Sequence, residues 1–216
     1  MVSVEPLRDG DVLEAAQLHL QVLDMEFLSR FGPRFMRAYY RAWLHSAGSI
    51  ALVARDDDGS LLGVLLGATD PAAHVNAMVK GHGIRLASTI LARAITHPRL
   101  AKDLVVTRGR RYARGLMRLV VGRFGSRGAS VRHDERVMGE ITHVLVHPDA
   151  QGRGAGRELV ARAVTVAREA GVQELMLVTP PDMEARHFYE RLGWRADGAM
   201  RSQSGEDFLR YRLKLD

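Results

Sequence analysis

Residues 146–160, VHPDAQGRGAGRELV, set three glycines among two arginines and a glutamine, after an apolar run and before a helical one. The chemistry open to such a turn is anion binding. Backbone amides at a helix N-terminus lack intrahelical acceptors and sit at the positive end of the dipole, so they attract phosphate. Glycine lets the chain approach a ligand closely and take positive φ. Two phosphate-binding patterns fail here. The dinucleotide pattern GxGxxG can start at Gly152 and Gly154, but its third glycine falls on Arg157. The mononucleotide pattern GxxxxGK[ST] is absent, because no Lys-Ser or Lys-Thr follows any glycine. Just upstream stand Glu140 and His143, and a neutral imidazole suits the role of general base. Alternation along a strand sends these two to opposite faces. His147, before a proline at the strand end, reads as a surface residue.

Positioning the turn requires a strand before it and a helix after it. The run EITHVLV supplies the strand, and a helix follows to Ala170 with Gly171 at its C-terminal cap. Beyond it come strand ELMLVT, a Pro-Pro break, helix MEARHFYERLG, strand WRADGAM and closing strand DFLRYRLKL. The first part of the chain opens with a strand over residues 2–7. Asp9 or Asp11 then caps a helix through about Leu23, with Leu13, Ala16, Leu20 and Leu23 on one side. Pro33 fits the first turn of a second helix, RFMRAYYRAWLH. The run SIALVARDDDGSLLGVLLGAT is two apolar stretches around an Asp-Gly turn, the strongest hairpin signal in the chain.

Gln151-Gly152-Arg153-Gly154-Ala155-Gly156 resembles the Q/R-x-x-G-x-G/A turn by which the GCN5-related N-acetyltransferases (GNATs) hold the pyrophosphate of acetyl-CoA. ARHFYERLGW is similar to the family's A..FYEKLGF near the C-terminus. The resemblance is specific over residues 139–195 and looser over 1–69. It implies an α/β (α+β) GNAT fold: a mixed, mostly antiparallel seven-stranded sheet flanked by helices and splayed between strands four and five. Acetyl-CoA would enter that gap as co-substrate, without a metal. Its pantetheine would pair with backbone near Leu145 and Val146, and its diphosphate would lie on residues 151–157, Arg157 included. Tyr189 matches the tyrosine that protonates the departing thiolate, with Phe188 packing the last helix on the sheet. Glu140 coincides with the base glutamate of the histone-acetylating branch, and His143 is its competitor. Many members carry Asn where this chain has Asp182; an ionised aspartate cannot donate that amide's bond to pantetheine. The first two helices and their linker usually wall the acceptor site, so Met25, Phe27, Phe31, Tyr39 and Tyr40 are candidate lining residues.

The chain has 216 residues, enough for one well-buried domain. It has no cysteine, which excludes disulfides, thiolate metal sites and a cysteine nucleophile. No apolar run reaches membrane-spanning length, and the N-terminus lacks the basic-then-apolar order of a signal peptide. A cytoplasmic protein is expected. Residues 74–138 hold 14 basic and 3 acidic side chains, whereas the remainder holds 17 basic and 22 acidic. This segment lies between the third and fourth strands, where the minimal family fold has no counterpart. We expect a basic, mostly helical insertion in a single domain, with Ile84, Ala87, Leu91 and Ile95 as one apolar stripe. Short stripes broken by arginine need the sheet or a second subunit to cover them. The insertion could act as a lid, or as a dock for an anionic acceptor, carrier or membrane surface; few aromatics interleave its arginines, which disfavours nucleic acid. Three functions stand side by side at this point: N-acetyl transfer to a small amine, acetylation of protein lysines or N-termini, and a non-catalytic acyl-CoA-binding regulatory domain.

Overall fold

A computed structural model of the chain describes residues 1–24, 26–103, 137–181, 185–201 and 207–215. Its strands are β1 (Ser3–Pro6), β2 (Ser49–Arg55), β3 (Leu61–Ala68), β4 (Met138–Val146), β5 (Glu174–Thr179), β6 (Arg195–Arg201) and β7 (Asp207–Lys214). They form one seven-stranded sheet in the order β1-β2-β3-β4-β5-β7-β6. Only β4 and β5 pair in parallel; every other pairing is antiparallel. The helices are α1 (Val12–Val22), α2 (Gly32–Leu44), α3 (Pro71–Thr96), α4 (Pro98–Asp103), α5 (Ala155–Glu169) and α6 (Ala185–Arg191). The expected mixed, mostly antiparallel sheet is present.

The β2–β3 hairpin closes as its turn chemistry requires. Asp56 Oδ1 accepts from the backbone N–H of Ser60 at 2.8 Å and of Asp58 at 3.2 Å, and Gly59 takes a φ of +80°. Strand β3 is buried at every position, so its apolar run serves both faces of the sheet. On one face Leu62, Leu65 and Ile141 pack with Leu159 and Ala163 of α5. On the other, Val64, Leu66 and Leu145 pack with Ala16 of α1 and with Phe35, Met36 and Tyr40 of α2.

Two local expectations for α1 are corrected. Asp11 stands at the N-cap of α1, but its side chain makes no capping bond; its carboxylate instead accepts from the Arg8 N–H and the Arg55 guanidinium, each at 2.7 Å. Of the expected side, Ala16 is buried and Leu20 and Leu23 pack against the core, but Leu13 is exposed; Val12, Ala15, Leu18 and His19 are buried beside them, so the covered side is wider than expected and includes a histidine.

Between β3 and β4 the described residues are helical through α4. Asp70 accepts from the Ala73 N–H at 2.9 Å and Pro71 sits in the first turn, which starts α3. Met78, Leu86, Ile90 and Leu100 turn toward the α1–α2 side of the core. The stripe singled out from the sequence points the other way: Ile84, Leu91 and Ile95 are exposed, Ile84 by 90%. The second basic stretch, with Arg111, Arg114 and Arg118, lies outside the described residues. No described helix is long and apolar enough to cross a membrane.

Candidate active site

Strand β4 stays paired with β5 only from Met138 to Ile141. Its remaining residues, 142–146, part from β5 and leave a gap in the sheet. The His147 N–H donates to the Leu62 carbonyl at 2.8 Å, so antiparallel alternation turns the Leu145 backbone toward β3 as well. The N–H and C=O groups that face the gap are therefore those of Val144 and Val146. Of the two residues singled out from the sequence, Val146 turns its backbone groups to the gap and Leu145 turns its own to β3.

The β3–β4 ladder pairs Leu66 with His143 and Gly67 with Ile141, leaving Thr142 as an extra residue. This is a β-bulge, and it resets which face each side chain takes. Glycine at position 67 makes room for it: a Cβ there would lie 2.7 Å from the Glu140 carbonyl oxygen. The expectation that Glu140 and His143 occupy opposite faces is overturned, because the extra residue cancels the alternation between them. The Tyr39 ring lies 6.2 Å from that of His143. Glu140 acts electrostatically on the same Tyr39 and is itself acted on by His143. Burial raises the Glu140 carboxyl above its ordinary value, against the pull of His143.

His143 belongs to a cluster that sequence reasoning missed. Glu26, in the turn between α1 and α2, bridges two imidazoles. Its Oε2 lies 2.7 Å from His19 Nε2, and its Oε1 lies 3.2 Å from His143 Nε2. Burial alone would raise the Glu26 carboxyl, but the two imidazoles outweigh it and hold it at about 2. An ionised carboxylate only accepts, so both Nε2 atoms carry the hydrogen. His19 is then left with an Nδ1 lone pair, which takes the hydroxyl of Tyr40 at 3.1 Å. Burial pushes the Tyr40 hydroxyl up and the His19 imidazole down, so the first keeps its proton and the second stays neutral. His143 is only 8% exposed, and its Nδ1 has no partner among the described residues. His143 stands on the stretch of β4 that has parted from β5, and an imidazole nitrogen with a free lone pair is what a general base requires. The three groups are also of metal-ligand type, with donor atoms all within 4.8 Å of one another. The direct hydrogen bonds account for their arrangement on their own.

At the far end of β4 the glycine turn leads into α5. Gly152 has a φ of +77° and Gly154 of +87°, and nothing would lie within 4 Å of a Cβ on either. The first hydrogen bond of α5 runs from the Glu158 N–H to the Gly154 carbonyl. The amides of Gly154, Ala155, Gly156 and Arg157 have no acceptor among the described residues. Gln151 and Arg153 are exposed, and Arg157 pairs with Glu158 at 3.1 Å. A Cβ on Gly156 would meet the Phe188 ring at 3.5 Å, so Phe188 packs over the start of α5. Tyr189 is buried among Phe188, Trp194 and Tyr211, with ring centroids 5.1, 5.9 and 6.3 Å away, and burial pushes its hydroxyl up to about 12.

Of the candidate acceptor-wall residues, Tyr39 reaches His143, Tyr40 reaches His19, and Phe31 is core. Phe27 is half-buried and packs its ring 5.2 Å from that of Phe31. Met25 and Asp182 lie outside the described residues. One signal for the cluster was in the sequence: His19 stands seven residues after Val12 on the side that α1 buries. For Glu26 there was none, because a turn carboxylate has no periodicity to mark it.

Comparison with known proteins agrees with this architecture. Residues 125–194 match the family model for the acetyltransferase (GNAT) family. A mycothiol acetyltransferase of Rhodococcus jostii is 42% identical over 62 residues, which is 28% of this chain and 20% of that protein. One from Rhodococcus opacus is 40% identical over 62 residues, with the same two shares. The chain thus spans about a fifth of the length of these curated relatives. Among solved structures, a Salmonella typhimurium protein assigned as an acetyltransferase, in complex with its cofactor acetyl-CoA, aligns with a TM-score of 0.59 at 16% identity. That alignment covers 100% of this chain and 94% of the other. A spermidine/spermine N-acetyltransferase of Vibrio cholerae gives a TM-score of 0.56 at 13% identity, over 100% and 95%.

Proposed function

We propose that the chain, whose residues 125–194 match the model of the acetyltransferase (GNAT) family, moves an acetyl group from acetyl-CoA to the primary amine of a small molecule by direct attack in a ternary complex. The observation that carries this reading is the parting of β4 from β5 at a stretch that holds His143, whose Nδ1 lone pair is free. The residues present fit the co-substrate. The unpartnered amides of residues 154–157 and the open, left-handed glycines suit its diphosphate, with Arg153 and Gln151 at the rim. The backbone groups of Val144 and Val146 suit its pantetheine. When bound, acetyl-CoA supplies an acetyl thioester.

The rest falls to this chain's own side chains. His143 Nδ1 takes the proton of the acceptor ammonium, which leaves a neutral amine as nucleophile. Glu26 holds the imidazole in the tautomer that leaves the Nδ1 lone pair free and stabilises the imidazolium that forms. Glu140, on the same face, adds a second carboxylate that favours a cationic acceptor nearby. As the amine nitrogen bonds to the acyl carbon and the carbon–sulfur bond breaks, Tyr189 is the donor to sulfur. Its hydroxyl, pushed up to about 12, remains protonated across the neutral range. A small acceptor is supported by the spermidine/spermine enzyme, which is named for small amines and shares the fold.

Calorimetry tests the reading. Wild-type protein is expected to bind acetyl-CoA, whereas Gly154→Val, strained at a φ of +87°, is expected to lose binding. Equal affinity in the two would remove the glycine turn from the site. A screen of amine libraries that reads free thiol would then identify the acceptor.

A further inference from the structure

On the side of α2 away from His143, a second site is built from arginine. Arg34, Arg37 and Arg41 are spaced at three and four residues, so they share one stripe of α2. Opposite them α3 presents Arg85 and Thr89. Together with Ala38 these side chains line a pocket of about 280 Å³ between the two helices. One turn further along α3, Arg93 passes the start of α2. Its guanidinium carbon would lie 3.7 Å from a Cβ on Gly32, and its Nε is buried with no hydrogen-bond partner among the described residues. The N-terminus of a helix is the positive end of its dipole, so this guanidinium is set against it.

Among the described residues none of Arg34, Arg37, Arg41, Arg85 and Arg93 forms an ion pair. Elsewhere on the chain arginines do find carboxylates: Arg55 pairs with Asp11, and Arg212 with Glu174 and Asp197. Like charges that face each other across the groove repel, weakly where water screens them, and an anion between them relieves that repulsion. Guanidinium groups present several N–H donors each in a planar fork that matches phosphate oxygens. We infer that the α2–α3 groove is a binding site for a small phosphate-bearing anion. Several guanidiniums call for a ligand with at least two negative charges, which favours a phosphate or diphosphate over a single carboxylate. The volume limits it to a compact group. This inference rests on the charge and shape of the groove and is independent of the acetyl-CoA reading.

The test is calorimetric titration of the full chain with inorganic pyrophosphate at low salt. The glycine turn can also hold a diphosphate, so wild type is compared with Gly154→Val and with the double variant Arg37→Glu/Arg41→Glu. The groove predicts that Gly154→Val retains a pyrophosphate site, and that the double arginine variant weakens it at least about tenfold. Affinity in Gly154→Val should fall steeply between low and physiological salt. Because the double variant removes like-charge repulsion, it should melt no lower than wild type in phosphate-free buffer, which separates lost binding from lost folding. Co-sedimentation with phosphatidylglycerol vesicles distinguishes the source. Vesicle binding that depends on Arg37 and Arg41, without binding of free pyrophosphate, assigns the groove to a lipid phosphate. Abolition of all pyrophosphate binding by Gly154→Val overturns the groove and leaves the glycine turn intact. The groove is equally overturned by binding, to pyrophosphate or to vesicles, that is indifferent to the two arginines, or by no binding to either.

Discussion

Replacing Glu26 with glutamine is the sharpest test of the proposed catalytic cluster, because it changes one charge and almost no volume. The carboxylate accepts from His19 at 2.7 Å and from His143 at 3.2 Å. Glutamine has one acceptor oxygen and one donor amide, so it can serve only one of these imidazoles unchanged. His19 should keep the oxygen: its bond is the shorter, and its Nδ1 already takes the Tyr40 hydroxyl. The amide then faces His143 Nε2, which must become an acceptor. Its proton moves to Nδ1, and the lone pair needed to receive a proton from the acceptor is lost. General-base assistance is worth about 10²- to 10⁴-fold, so the rate at neutral pH should fall within that range. Losing charge-assisted hydrogen bonds in a mostly buried site costs about 1–3 kcal/mol of stability. For a chain of this size that lowers the melting temperature by several degrees.

Two measurements check the tautomer argument independently. Nitrogen NMR of the His143 ring should show hydrogen on Nε2 in wild type and on Nδ1 in Glu26→Gln, with no acceptor needed. Acetyl transfer, followed by thiol release once an acceptor is identified, should lose kcat/KM while acetyl-CoA affinity stays near wild type. The deficit should narrow at high pH, where the amine loses its own proton. A variant that keeps hydrogen on Nε2 and turns over within about threefold of wild type, against the 10²-fold minimum expected, refutes the positioning role of Glu26. Loss of wild-type activity on chelation, restored by a divalent cation, would instead make the two imidazoles and the carboxylate a metal site.

Three further outcomes follow from the same geometry. Glu140→Gln should slow transfer less than His143→Ala does; the reverse order would hand the base role to the carboxylate, whose raised affinity for protons also suits it. Tyr189→Phe should lower kcat and kcat/KM alike with acetyl-CoA affinity unchanged, as expected for a hydroxyl that acts only in the transition state, and unaltered turnover would leave it a core aromatic. Stability should fall in two stages on acidification, read as denaturation midpoints against pH. Burial holds His19 and His74 below 6.5, so the unfolded chain takes up protons first and stability drops below that pH. Glu26, held at about 2 against 4.5 unfolded, adds a second loss as pH falls through that interval. A flat profile from pH 7 to 5 contradicts the buried neutral histidines.

The parts of the fold that repeat were legible in the sequence. The hairpin turn, the β4–turn–α5 unit and the order of the later strands were each marked by period, glycine or proline. On α1 a stripe of Leu13, Ala16, Leu20 and Leu23 met the packed side at all but Leu13, yet left out His19 next to it. What failed on β4 was phase. Strict alternation through EITHVLV placed Glu140 and His143 apart, because a bulge inserts one residue where period-two counting assumes none. A trace of it existed on the partner strand: glycine inside a strand often marks a bulge or a close backbone approach, and Gly67 sits opposite this one. Glu26 was beyond reach, since a turn residue 117 positions from its partner His143 is joined to it only by the tertiary fold.

Helix α2 sorts charge on the molecule. One side carries Tyr39 and Tyr40 toward His143 and His19, where Glu26 and Glu140 supply negative charge. The other carries Arg34, Arg37 and Arg41 toward α3. An excess of basic residues in the segment after β3 therefore does not by itself make the acceptor anionic. The two sides of α2 differ in sign, with carboxylates on the inner side and guanidiniums on the outer. An ammonium group is attracted to the carboxylate side, and a phosphate to the arginine side. A molecule carrying both could bridge them only by passing around an end of the helix. The aromatic rings between Phe31 and Trp43 fill the interior side of α2 and close the direct path through it. The geometry thus favours two ligands at two sites, an amine beside His143 and a phosphate-bearing anion between α2 and α3.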